Sequence, residues 1–250
     1  MIIKDNIFVE ILDIAFSAGK SILEAKENKI DINYKNDKSP VTNADRTANE
    51  IITKKLRILT PGIDIISEEN KNNSLTKNDI YWIVDPLDGT KEFINGSDEY
   101  TVNIGLIKKK QPIFGLIYAP SKKLTYFTRN SNAYKLLGNH SEKKINTTKN
   151  KTHYNTALMS NSHNNKDTED YIKKNEIPFT KKVGSSLKFC LIADGEGDIY
   201  PRFGRTMEWD TAAGQAIVEA AGGKVQLLNG EPLTYSKESF INPPFICKAS

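Results

Sequence analysis

The stretch Tyr81-Trp82-Ile83-Val84-Asp85-Pro86-Leu87-Asp88-Gly89-Thr90 sets two aspartates close together behind an apolar run. An apolar strand would deliver Asp85 at its carboxyl end, where open sheets place their ligands. Pro86 would fix the exit direction, and a tight turn would return Asp88 to the side of Asp85. Two carboxylates held that close repel each other unless a cation lies between them. Donors that are all oxygen suit magnesium, calcium or manganese rather than zinc. Gly89 permits close backbone approach, and Thr90 adds a hydroxyl beside exposed N–H groups, which bind phosphate oxygens well at a helix start. The same residues could equally form an acidic Asx-type turn capping a short helix from Lys91 to Ile94. This segment alone leaves both readings open.

Three further acidic elements bear on that choice. Ser67-Glu68-Glu69 follows the apolar run Ile63 to Ile66, so its carboxylates also fall at a strand end. Asp210 follows Trp209 and opens a helix that runs to Ala221. Asp45 lies in the first turn of a helix that starts near Thr42. An N-cap would explain Asp210 and a capping box would explain Asp45 without any chemistry. Their occurrence together with the aspartate turn favours a cation-dependent site.

The elements that must position these residues follow from periodicity. Phe8, Ile11, Leu12, Ala15 and Ile22 recur at helical spacing. A short strand is expected around Ile30 to Tyr34, then a helix with Ala44, Ala48, Ile51, Ile52 and Leu59 inward, stopped by Thr60-Pro61-Gly62. Short strands follow at Ile63–Ile66 and Tyr81–Val84. Thr101–Ile107 and Ile113–Tyr118 read as a hairpin around Lys108-Lys109-Lys110, continued by Lys122–Thr128. The second half alternates a strand at Ala157–Met159, a polar helix at Lys166–Asn175, a helix entered through Gly184-Ser185-Ser186, a strand at Ile199-Tyr200 and the helix ended by Gly222-Gly223. The interleaving gives an α/β class. The polar, lysine-rich stretch 141–152 is the expected junction between an N-terminal subdomain, 1–152, and a C-terminal one, 153–250.

Composition narrows the function. The 250 residues carry 35 basic and 31 acidic side chains, a net charge of +4, and 38% hydrophobic residues, which excludes a disordered chain. The lysines are scattered, so the slight basic excess gives no footprint for a nucleic-acid polymer. Cys190 and Cys247 have neither metal-ligand nor redox-motif spacing and suit a reducing compartment. No apolar stretch approaches membrane-spanning length, and Met1-Ile2-Ile3-Lys4-Asp5 lacks the pattern of a signal peptide. A cytoplasmic protein is therefore expected.

The turn Asp85-Pro86-Leu87-Asp88-Gly89-Thr90, together with Trp209-Asp210-Thr211-Ala212-Ala213-Gly214, resembles the paired signatures of the inositol monophosphatase superfamily of lithium-sensitive, magnesium-dependent phosphatases. Thr42–Asp45 and Ser67–Glu69 fall in the same order, so the resemblance covers nearly the whole chain. Lys91-Glu92-Phe93, Gly184-Ser185-Ser186-Leu187-Lys188-Phe189-Cys190 and Tyr200-Pro201-Arg202-Phe203 are similar to the 3′(2′),5′-bisphosphate nucleotidase branch. The resemblance implies a layered α-β-α-β-α sandwich of two subdomains. It implies two or more magnesium ions held by Glu68, Asp85, Asp88, Asp210 and the Leu87 carbonyl, and a water activated by the pair Thr90 and Asp45. No side chain is placed as a covalent nucleophile.

The substrate so implied is a small nucleotide, adenosine 3′,5′-bisphosphate, hydrolysed to AMP in sulfate assimilation, with 3′-phosphoadenosine 5′-phosphosulfate left open. Its phosphate would meet Glu68, Leu87, Asp88, Gly89, Thr90 and Asp210, and its nucleotide part His163, Ser185, Lys188 and Arg202. A serine-capped helix with solvent-facing basic residues is the bland reading of Ser185, Lys188 and Arg202. His140 and His153 are expected to be exposed and without a role, and Trp82 to be core. An inositol monophosphatase or sugar bisphosphatase is the enzymatic alternative, and a binding protein with a vestigial metal site the non-enzymatic one. Some relatives sit peripherally at the cytoplasmic side of the inner membrane, so that association also stays open, as does the oligomeric state.

Overall fold

The computed structural model describes residues 5–28, 30–35, 37–70, 73–138, 141–148, 153–162 and 165–250. Helix α1 (Asp5–Glu27) turns Phe8, Ile11, Ile14, Ala15, Ala18 and Ile22 inward at helical spacing. The short antiparallel pair β1 (Ile32–Tyr34) and β2 (Pro40–Thr42) leads into α2 (Asn43–Leu59). Thr42 caps α2, and its last turn closes where Thr60 N–H reaches Leu56 O. The two helices lie side by side and cover one face of a large sheet.

That sheet holds seven strands in chain order: β3 (Asp64–Ser67), β4 (Ile80–Asp88), β5 (Thr101–Lys108), β6 (Gln111–Ala119), β7 (Leu124–Arg129), β8 (Asn132–Leu137) and β9 (Lys143–Ile145). Only β3 and β4 pair in parallel. The short helix α3 (Thr90–Ile94) leaves the end of β4. Lys109 and Lys110 take positive φ between β5 and β6, the mark of a two-residue hairpin turn, so the lysine run is a turn as expected. Alternation along β4 sends Trp82 and Val84 to the α1/α2 side and Tyr81 and Ile83 to the other. Trp82 is core, its indole N–H donating to Thr60 Oγ1 at 2.8 Å. The polar stretch expected as a junction contains β9, whose Ile145 is the one buried side chain of that strand.

The second half alternates β10 (Thr156–Ser160), α4 (Lys166–Lys174), β11 (Phe179–Val183), α5 (Leu187–Ala193), β12 (Ile199–Arg202), β13 (Thr206–Met207), α6 (Glu208–Ala220), β14 (Lys224–Leu227), β15 (Ile241–Asn242) and β16 (Phe245–Lys248). A five-stranded sheet forms in the order β11-β10-β12-β16-β14, and β13 and β15 make a separate pair. Helices α5 and α6 fill the space between the two sheets, and α4 packs with Tyr171 and Ile172 on the far side of the smaller one. The layers are α-β-α-β-α.

Helix α6 approaches the large sheet unusually closely. Gly105 and Gly115 face each other across β5 and β6, and the helix lies over both at Ala212 and Ala213. A Cβ on Gly115 would stand 2.1 Å from Ala213 O, and one on Gly105 3.1 Å from the Ala212 methyl. The paired glycines form the groove that receives the helix backbone, and so fix how near its first turn comes to β4.

Gly115→Ala therefore forces α6 off the sheet and should destabilise the protein by about 1–3 kcal/mol through overpacking. Chemical denaturation measures this; an unchanged midpoint would show that the close approach is not enforced.

Candidate active site

Three elements bring three acids together. Parallel pairing sets Ser67 beside Val84, and Glu68 N–H donates to Val84 O at 3.1 Å, so Glu68 and Asp85 leave adjacent strands at the same edge. Asp210 sits in the first turn of α6, where its Oδ2 accepts the Met207 N–H at 2.7 Å. It is the third residue of the helix, after Met207, rather than the N-cap that a bland reading would make it. One carboxylate oxygen each from Glu68, Asp85 and Asp210 lies within 4.8 Å of the other two.

Asp88 reaches this edge by a different device from the expected tight turn. Strand β4 continues through Pro86 to Asp88, and its register with β5 shifts: Asp85 pairs with Asn103 but Asp88 with Thr101. Three steps on one strand match two on the other, which is a β-bulge. In a regular strand residues three apart point to opposite faces; the one extra residue returns Asp88 to the face of Asp85. Pro86, with no N–H to offer the ladder, falls where the ladder is already broken. Asp85 Oδ1 also accepts the Leu87 N–H at 3.1 Å, the local contact of the Asx reading, so that reading and the carboxylate cluster coexist.

Crowding and burial act on these acids. Burial, then the charges of Glu68, Asp88 and Asp210, pushes the Asp85 carboxyl well above its ordinary range. Burial, then Asp88 and Glu68, does the same to Asp210. Asp88 is pushed up to about 6 by burial, against the pull of Lys188, Asn103 and the Ser186 N–H. Carboxylates gathered at a cavity and too crowded to ionise freely fit a divalent cation with a preference for oxygen donors. The donor set holds neither histidine nor cysteine.

Asp45 carries both of the roles weighed for it, one on each oxygen. Its Oδ2 closes the capping box, accepting the Thr42 N–H at 2.7 Å and the Thr42 hydroxyl at 2.6 Å. Its Oδ1 accepts the Thr90 hydroxyl at 3.0 Å. The same hydroxyl lies 3.2 Å from Leu87 O, so a single proton has two acceptors in reach. Burial holds the Asp45 carboxyl above the ordinary carboxylate range, opposed by the hydrogen bonds from Thr42 and Thr90. Gly89, at φ +93°, makes the left-handed step from β4 into α3 that aims Thr90 back at Asp45.

A cavity of about 380 Å³ joins this acidic wall to a basic one. Ser185, Lys188 and Arg202 all line it, as do Leu87 and Gly89. Lys188 and Arg202 are buried, only 4% and 8% exposed, so the solvent-facing reading of these cations fails. The Lys188 ammonium donates to Val183 O at 3.1 Å and Ser185 O at 2.5 Å, and stands 5.3 Å from the centre of the Tyr200 ring. Burial pushes it down to about 8, with Asp88 pulling the other way. Arg202 donates to Arg205 O at 3.0 Å. Ser186, at the N-cap of α5, does not cap it, since its hydroxyl donates to Asn103 Oδ1; the serine contact at the helix start is a long one, from Leu187 N–H to Ser185 Oγ at 3.5 Å. His163 lies outside the described residues, as does His140; His153 is exposed.

Sequence reasoning missed Lys35, Asp37 and Arg205. Lys35, beyond β1, donates to Glu68 Oε1 at 2.8 Å and Glu69 Oε1 at 2.6 Å. Burial opposes its charge, yet the two glutamates hold its pKa above the ordinary lysine value. Asp37 and Arg205 meet at 3.1 Å, linking the β1–β2 hairpin to the segment before β13 at the cavity's edge. Nothing in the chain distinguishes Lys35 from its many neighbouring lysines, so no sequence signal could have found it.

Comparison with known proteins agrees with this geometry. The model of the inositol monophosphatase family matches residues 4–248. The 3′(2′),5′-bisphosphate nucleotidase CysQ of Buchnera aphidicola subsp. Acyrthosiphon pisum is 46% identical, over 98% of this chain and 96% of the relative. The crystal structure of CysQ from Bacteroides thetaiotaomicron superposes with a TM-score of 0.83 at 41% identity, covering 96% of each chain. The IMPase of Thermotoga maritima, 23% identical, shares the fold at a TM-score of 0.79 over 98% of this chain and 92% of its own.

The crowded acids set a pH signature. In the folded chain without metal, Asp85, Asp88 and Asp210 keep protons that the unfolded chain has released. Stability therefore falls as pH rises from the ordinary carboxylate value of 3.8 through the Asp88 value of about 6, and continues to fall as the other two ionise. A divalent cation relieves that penalty, so magnesium should raise Tm more at about pH 7.5 than at about pH 5. Thermal unfolding in chelator and in magnesium at both pH values measures this; equal increments would contradict a cation among these acids. Asp85→Asn should raise the Tm of the metal-free protein while removing most of the magnesium increment.

Proposed function

The chain belongs to the inositol monophosphatase family, and from that premise we propose that it is a 3′(2′),5′-bisphosphate nucleotidase. It removes the 3′-phosphate of adenosine 3′,5′-bisphosphate by attack of water, with magnesium as its cofactor. The observation that carries the reading is the single cavity with an acidic and a basic wall, which matches a substrate bearing two phosphates. The names of the relatives support the same choice.

Glu68, Asp85 and Asp210 would hold the metal, with Asp88 and the Leu87 carbonyl beside them. Magnesium there supplies a polarised water and neutralises charge on the phosphoryl oxygens. The remaining chemistry belongs to the chain. Asp45 Oδ1 accepts the Thr90 hydroxyl, the shorter and charge-assisted of that hydroxyl's two contacts, so a proton leaving the attacking water can pass to Thr90 as the Thr90 proton passes to Asp45. Thr90 Oγ1 then offers its lone pairs to the attacking water and holds it in line with the phosphorus. The raised pKa of Asp45 makes it a better proton acceptor than an exposed carboxylate, so the pair can draw charge off the water. On the opposite wall Lys188 and Arg202 receive the second phosphate and orient the ribose so that the 3′-phosphate meets the acids. Ser185 borders the same space.

Two measurements test the proposal. Turnover of adenosine 3′,5′-bisphosphate and of inositol 1-phosphate is compared, and kcat/KM should favour the nucleotide by at least about 100-fold, since inositol 1-phosphate has no second phosphate for the basic wall to contact. A preference for inositol phosphate would overturn it in favour of an inositol monophosphatase. Thr90→Ala should lower kcat by about 100-fold or more with little change in KM; normal turnover in that variant would remove the water-orienting role.

A further inference from the structure

The buried side chains Thr101, Asn103 and Ser186 and the half-buried Asp88 form a hydrogen-bonded group at the joint between the two walls. Asn103 stands opposite Asp85 on β5, and Thr101 opposite Asp88, so the bulge sets all four on one face of the sheet. Asn103 Nδ2 donates to Asp88 Oδ2 at 3.3 Å, and the Ser186 N–H donates to the same oxygen at 2.5 Å. Asn103 Oδ1 accepts from the Ser186 hydroxyl at 2.7 Å, and the Thr101 hydroxyl has both Ser186 Oγ, at 2.8 Å, and Asn103 Oδ1, at 3.1 Å, in reach. Thr101, Asn103 and Ser186 are each 2% exposed or less, so the bonds among these three are shielded from water.

This arrangement has two consequences. Both donors fall on one oxygen of Asp88, which leaves Oδ1 as the oxygen free to turn to a cation. The other end of Asn103 grips Ser186, the residue between Ser185 and Lys188 on the basic wall. An amide donates from one terminal atom and accepts at the other, so Asn103 can hold a carboxylate at one end and a hydroxyl at the other. An ionised aspartate at 103 would have no proton to give Asp88.

We propose that Asn103 is a positioning residue that aims the free oxygen of Asp88 at the metal and ties it to the Ser185–Lys188 segment, so that metal and nucleotide strengthen each other's binding. The proposal rests on the reading of the cavity as a metal-dependent nucleotidase site. By linkage, the factor by which magnesium improves nucleotide affinity equals the factor by which nucleotide improves magnesium affinity, and Asn103 carries part of it.

The test is calorimetric titration of the full chain with magnesium alone, with AMP alone, and with AMP at saturating magnesium. Asn103→Ala should weaken magnesium about tenfold or more, in the range typical for loss of a group that orients a metal ligand. It should also reduce the gain in AMP affinity that magnesium brings. Thr101→Val, which keeps shape and deletes only the outer hydroxyl, should move both quantities the same way by a smaller factor, and serves where the alanine variant does not fold. Thr60→Val, which removes the partner of the Trp82 indole, should lower stability and leave both quantities at wild-type values. Magnesium affinity within about threefold of wild type in a folded Asn103→Ala protein, or an undiminished AMP gain, would overturn the proposal. Absence of magnesium binding by the wild-type chain would instead overturn the functional reading beneath it.

Discussion

Mutual repulsion among clustered, partly buried carboxylates is the constraint to which the rest of this structure answers. Glu68, Asp85 and Asp210 come from two strands and one helix, and each would gain by moving apart. They are held by backbone features that a charge cannot easily shift. The parallel β3–β4 pair fixes Glu68 beside Asp85, and the glycine pair Gly105–Gly115 presses α6 against the sheet so that Asp210 cannot retreat. The apolar contacts Trp209–Phe240 and Tyr81–Ile83 surround the same helix start and oppose its opening. The cost of holding the acids appears as the raised carboxyl pKa values, and a cation converts that cost into affinity.

The site is also built from local structure serving twice. Asp45 closes the capping box of α2 with one oxygen and faces Thr90 with the other. Asp210 reaches back to Met207 N–H with Oδ2 and also places a carboxylate oxygen in the cluster. Asp88 spends one on Ser186 and Asn103. In each case the hydrogen bond that stabilises an element also fixes which oxygen is left over. A carboxylate with a single tethered oxygen is already oriented, so little rotamer freedom remains to be lost when a ligand binds.

Much of this was legible in the sequence because its signals are local. Strand periodicity at Tyr81–Val84, the Thr42–Asp45 box and the helix closed by Gly222 depend on neighbouring residues, and the two aspartate signatures stand in short runs. The bulge was not legible: Pro86 announces a break, but whether the chain turns or slips by one residue depends on the register with β5. Lys35, Asn103 and the burial of Lys188 and Arg202 were equally hidden. Lys35 is set by Glu68, 33 residues away, and Asn103 by Ser186, 83 residues away, and a lysine reads the same whether it will be solvated or enclosed. The cap-based readings of Asp45 and of the aspartate turn described real hydrogen bonds; what they omitted was the second oxygen.

Three departures from local rules lie at the cavity. A proline lies inside a strand flanked on both sides, a lysine is enclosed with its ammonium near two carbonyls, and Ser185 takes a left-handed φ of +48° where glycine would be comfortable. Any one of these would lower stability, and a core free of them would be easier to fold. Left-handed non-glycine residues also occur in turns elsewhere, as at Lys109, Lys123 and Glu176, but here the three departures share one cavity: Pro86 separates Asp85 from Leu87 and Asp88, and Ser185 and Lys188 border the same space. Where they are braced by a buried amide, the chain sacrifices stability for placement.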